Sequence, residues 1–202
     1  MEPPNLSLYC ELMMEIRGRA KFVWDLEHDN SALFPEFGRI ESIVLQIRKI
    51  LELIAVGSLV ANKELYSENY KKFETHSHAK YILNDIERIN SEFYPKPAIQ
   101  TRSDTPGVNW HLVTGEDIGL DYLTRIEFEN IYDKCGGLLH AENPFGSKRD
   151  YKYYLNNIPA WMKKIENLLK IHVIRLADDE NHYLIHMKSG DNKAHGYTLS
   201  PR

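Results

Sequence analysis

His140 is the residue whose surroundings most suggest chemistry. It follows the glycine pair Gly136-Gly137 and precedes Asn143-Pro144 within the phrase Tyr132-Asp133-Lys134-Cys135-Gly136-Gly137-Leu138-Leu139-His140-Ala141-Glu142-Asn143-Pro144-Phe145. Glycines lower helix propensity there, and local stability is given up more often at functional sites than elsewhere. An imidazole can donate, accept or carry a proton near neutral pH. The plainer role for His140 and Asn143 is to close a kinked helix end. Partners come from an earlier segment, where Glu41, Arg48 and Glu52 stand seven and four residues apart. That spacing puts all three on one side of a helix that is otherwise apolar, where polar groups must meet a cleft or one another. Arg48 and Glu52 fit a simple i, i+4 ion pair. They also fit a pair in which Arg48 holds a phosphate and Glu52 orients it.

Other chemistries find less support. Cys135 could serve His140 as a thiol, but no orienting third group is visible. Nine histidines are present, four of them (His172, His182, His186, His195) near the C-terminus, without standard zinc spacing. No metal and no cofactor is expected. Phosphate-binding glycine loops, HExxH and GxSxG are absent. Between Lys148 and Arg175 the local net charge is +5, against −4 for the chain. Lys148, Arg149, Lys152, Lys163 and Lys164 interleave there with Tyr151, Tyr153, Tyr154 and Trp161, the pattern of a backbone-tracking groove with stacking platforms. Tyr153 and these five bases are the candidate RNA contacts. The same aromatics at helical spacing equally fit core packing.

These residues need a frame. Leu8, Leu12, Ile16, Val23 and Leu26 predict a helix over Leu6 to His28. Ile40, Ile43, Val44, Ile47, Ile50, Leu51 and Ile54 predict a second, central helix from Glu36 to Lys63, covered on several sides. A short and a longer helix follow over 64–93, the longer one capped by Ser77. Prolines and glycines then make Tyr94–Leu120 a long loop, with Trp110, His111 and Arg102 as candidates for a small ligand. Thr124-Arg125-Ile126-Glu127 reads as a capping box opening a helix to about Lys134. Lys148–Lys170 is helical, with a break at Pro159 capped by Asn157. After Lys170 the period becomes two, giving three short strands in an antiparallel meander. The expected fold is mainly α: a multi-helix bundle over 1–170 with the 94–120 loop inserted, and a β-meander appendage over 171–202.

With 202 residues, 43% hydrophobic and 27% charged, the chain can bury a core without staples. Its net charge of −4 excludes a histone-like, broadly nucleic-acid-coating protein. Two distant cysteines, an acidic N-terminus and no bilayer-length apolar run predict a cytoplasmic protein with no membrane association.

Two phrases resemble a known superfamily. Leu45-Gln46-Ile47-Arg48-Lys49-Ile50-Leu51-Glu52-Leu53-Ile54 looks like the second helix of HEPN-type helical bundles. The Tyr132–Phe145 phrase looks like the segment carrying their catalytic histidine. The resemblance covers roughly residues 6–170. It implies a bundle that is often dimeric, and a metal-independent endoribonuclease of the toxin–antitoxin or phage-defence kind. In such an enzyme the RNA 2′-hydroxyl attacks, His140 is the general base or acid, and Arg48 steadies the pentavalent phosphate. Catalytic members carry an arginine a few residues before that histidine, where this chain has Lys134 and two glycines. Two alternatives therefore stand: a remote Arg48 or Lys134 supplies the charge, or the chain is a non-enzymatic interaction module, an antitoxin, regulator or defence subunit. The expected partners are RNA, a second copy of the chain, or another protein.

Overall fold

The computed structural model describes residues 4–29, 35–63, 78–102, 110–143, 145–146, 148–175 and 182–199. Its elements in chain order are α1 (Pro4–Glu27), α2 (Glu36–Ala61), α3 (Ala79–Ile89), β1 (Lys96–Arg102), β2 (Trp110–Thr114), α4 (Arg125–Leu139), α5 (Tyr151–Leu169), β3 (Ile171–Arg175), β4 (His182–His186) and β5 (His195–Leu199). The fold is mainly α with an antiparallel sheet that ends in the β3-β4-β5 meander.

The helix α2 is central because apolar side chains occupy most of its circumference. Ile40, Ile43, Val44, Ile47, Ile50, Leu51 and Ile54 are all buried, and α1, α3, α4 and α5 pack around them. The glycine Gly57 admits Tyr9 of α1, whose ring lies 3.1 Å from where a Cβ would stand. Among these described residues, no helix is long and apolar enough to cross a membrane.

Within the segment read as a loop from Tyr94 to Leu120, the described residues instead include the antiparallel strands β1 and β2 and a 3-10 turn at Gly115–Ile118. Strand order is β2-β1-β3-β4-β5, all antiparallel, with Lys96 opposite Val173 and Pro97 opposite His172. The sheet thus takes strands from both sides of Lys170. Proline at 97 hides the strand from a propensity reading, because Pro is depleted in strands generally. Trp110, His111 and Arg102 fall in the β1-β2 register, with His111 and Arg102 exposed.

Two expected helix breaks do not occur. The helix α4 runs through Gly136-Gly137 to Leu139, held by buried Cys135 and Leu138 on either side. In α5, Pro159 lies inside the helix and is exposed, and the helix continues through it to Leu169. Asn157 is no cap: its Nδ2 donates to the Tyr153 carbonyl at 2.7 Å within the same helix. The cap of α5 is Asp150, accepting from the Tyr153 N–H at 3.0 Å. The Thr124–Glu127 capping box is present in both directions. The predicted short helix and Ser77 lie outside the described residues, and α3 begins at Ala79.

Where the sheet meets the bundle, Tyr9 of α1 lies 2.8 Å from Nε2 of buried His172. Nδ1 of that ring is 2.9 Å from the Leu169 carbonyl, which can only accept, so Nδ1 carries the proton and the tyrosine hydroxyl donates to Nε2. Burial holds the His172 imidazole down to about 4, and it is neutral.

Candidate functional site

The polar face of α2 meets α4 and the start of α5 in one seam. Arg48 is its centre. Nη2 of Arg48 donates to the Tyr132 hydroxyl at 2.8 Å, and Nε pairs with Glu52 at 3.3 Å. The guanidinium carbon stacks 4.1 Å from the Tyr132 ring centroid. Glu52 in turn pairs with Lys49 at 2.7 Å. Burial, only partly countered by Arg48, raises the Tyr132 phenol above its ordinary range. Gly136, one turn after Tyr132, leaves the space that Nη1 of Arg48 fills, 2.7 Å from where a Cβ would be. One of the two glycines that looked like helix breakers is thus a seat for the arginine.

Toward the N-terminal end of α2, Glu41 accepts from the Tyr151 hydroxyl at 2.8 Å and pairs with Arg149 at 3.3 Å. The Arg149 backbone N–H also donates to Glu142 at 3.2 Å. Glu41, Glu52 and Glu142 therefore balance Arg48, Lys49 and Arg149 along the seam.

His140 is the C-cap residue of α4 and is exposed. It lies one turn beyond Gly136 on the helix line that runs through Tyr132 and Gly136. Among the described residues, no hydrogen bond or ion pair joins it to Arg48. Arg48 and Glu52 are brought together; His140 stands apart at the edge of the same seam. Cys135 is buried beneath it, and burial pushes its thiol up to about 12, so it holds no thiolate at neutral pH.

The expected RNA face divides. Lys148 and Lys152 are exposed. Lys163 pairs with Glu166 at 2.8 Å, Lys164 with Asp121 at 2.7 Å and with Glu127, and Arg149 with Glu41. Tyr153 packs edge-on against Tyr154 and Trp161, with Lys134 5.0 Å above its ring. Acids from outside the segment thus pair two of its seven bases, Arg149 and Lys164, which a local count along the sequence could not register. Among the described residues, no group of three or more His, Cys, Asp or Glu side chains could hold a metal ion.

No protein-family model matches the chain, and no curated protein or solved structure matches it.

Proposed function

We propose that this chain is a non-enzymatic helical interaction module, of the antitoxin, regulator or defence-subunit kind, with a HEPN-like bundle as its scaffold. The engagement of Arg48 with Glu52 and Tyr132 carries this reading. A phosphate-binding arginine needs donors aimed at an open site, whereas here the guanidinium is stacked, paired and seated on Gly136. The charge-balanced seam, with Lys163 and Lys164 of α5 in ion pairs, adds little pull for a polyanion.

One observation favours a second reading, a metal-independent endoribonuclease. His140 is exposed one turn from the Arg48 seat. In that scheme His140 moves the proton of the 2′-hydroxyl, and a swing of Arg48 frees it for the phosphate, Glu52 orienting it. Lys148, Lys152 and Tyr153 would follow the strand. A homodimer belongs to both readings, since a two-fold axis could bring a second seam alongside the first.

Incubating the purified protein and a His140→Ala variant with bulk RNA in EDTA separates the two. The module reading expects identical, background-level cleavage by both forms. Cleavage by the parent that vanishes in the variant overturns it in favour of the ribonuclease. Light scattering on the same preparation reads the dimer, expected at twice 23.6 kDa.

A further inference from the structure

Along α1, a groove runs between α1, α5 and the residues that follow β4. Its floor is apolar: Ile16, Ile165 and Leu169 are buried there, and the methionines Met162 and Met187 line it. A cavity of about 300 Å³ at one end adjoins a wider one of about 650 Å³ at the other, the two sharing Ala20, Met162 and Glu166 as lining. Its ends differ in chemistry. Arg17, Lys170 and Lys188 stand at the first; at the second, Trp24, His28 and Pro159 stand beside Glu27 and the Lys163–Glu166 ion pair.

The cations at the first end are not neutralised. The Arg17 guanidinium donates to the Met187 carbonyl at 2.9 Å, and to the Asn192 carbonyl and side-chain oxygen at 2.8 and 3.0 Å. All these acceptors are uncharged, so its full charge remains. Lys170 and Lys188 are exposed, and neither has a carboxylate partner among the described residues. The acid lining this end, Glu166, already pairs with Lys163 at 2.8 Å. An apolar floor leading to uncompensated positive charge fits a ligand with a hydrocarbon body and one anionic head. Arg17 and Trp24 are seven residues apart on α1, about 10 Å at helical rise, which matches an extended decanoyl chain. Flexible methionine walls suit a chain without fixed shape.

We propose that the groove between α1, α5 and β4 binds a linear medium-chain carboxylate, its head held by Lys170 and Lys188 in the field of Arg17, whose Nη donors are already engaged, and its tail reaching Trp24. This site is separate from the α2–α4 seam and does not depend on how that seam is read. Trp24 is 58% exposed and stacks on His28 at 4.2 Å, so a tail arriving there changes its fluorescence.

The test titrates the full chain with decanoate below its micelle-forming concentration, following tryptophan emission and calorimetric heat. Saturable binding is expected, with a spectral shift that is lost in Trp24→Phe. Decanol and decylamine should bind about tenfold more weakly, the scale on which a head-group ion contact registers in affinity. The surface double variant Lys170→Glu/Lys188→Glu should weaken decanoate by a similar factor without unfolding, and Ala20→Phe should block the groove. The proposal is overturned if decanoate does not saturate, if decanol binds as well, or if the double variant binds decanoate unchanged.

Discussion

Arg48 on α2 occupies the space that a side chain on Gly136 of α4 would fill: Nη1 stands 2.7 Å from the position of the missing Cβ. The next residue, Gly137, has nothing within 4 Å of its own. Two adjacent glycines in one helix therefore have different physical reasons to be tested.

Gly137→Ala should stabilise the protein by about 0.5–1 kcal/mol, because helical alanine avoids glycine's backbone entropy cost and nothing obstructs the methyl group. Gly136→Ala gains the same propensity but displaces Arg48 from the Tyr132 ring and hydroxyl. It should fall below Gly137→Ala by roughly 1 kcal/mol, the scale of one such hydrogen bond. In an Arg48→Met background the gap should close, and urea unfolding of the four proteins measures it. An equal gain from both alanines in the parent would remove the seat assigned to Gly136.

Gly196 on β5 faces Leu6 of α1 even more closely. A Cβ there would meet three Leu6 side-chain carbons at 2.6, 2.9 and 3.0 Å, and Leu6 is 1% exposed. Unlike the arginine tip, this leucine has no solvent to move into. Gly196→Ala should cost about 1–3 kcal/mol through overpacking. Leu6→Ala makes room, so the double variant should be less destabilised than the sum of the singles in thermal melts.

Thr124 anchors α4 through its capping box, and Glu127 of that box also receives Lys164 from α5. Thr124→Ala should lose about 1 kcal/mol. Thr124→Ser keeps the acceptor oxygen and should recover most of it, again read by urea unfolding.

The parts of this architecture legible in the sequence are those fixed by local periodicity. The three-and-four rhythm of Ile40 to Ile54 identifies α2 as central, and Thr124-Arg125-Ile126-Glu127 marks the start of α4 to the residue. The strand β1 was hidden because its burial pattern is not alternating and Pro97 sits near its start; its place depends on pairing with β3, some seventy residues later. The role of Gly136 was likewise hidden, since only the packing of α2 on α4 brings Arg48 to it. Glu52 as the partner of Arg48 could be read from i, i+4 spacing, but Tyr132 could not. At the candidate site, sequence spacing placed Arg48 beside Glu52 and left the distance to His140 to the third dimension.

The Tyr9–His172 pair ties α1 to the start of the sheet in a buried position, and its titration should make the stability of the fold depend on pH. Burial lowers the folded-state value of His172 to about 4, beneath the ordinary imidazole value near 6.5 that the unfolded chain has. The unfolded state therefore binds more protons between those two values, and stability falls as the solution is acidified through that window. Above about pH 6.5 the neutral ring leaves the pair intact; between about pH 6.5 and 4 the loss should accumulate to a few kcal/mol. His172→Gln removes the titrating group and still offers an amide to the Tyr9 hydroxyl. It should start less stable at pH 8 and lose less between pH 7 and 5. Unfolding free energies of both proteins at those three pH values measure the effect, and parallel slopes would mean that other groups set the acid limit.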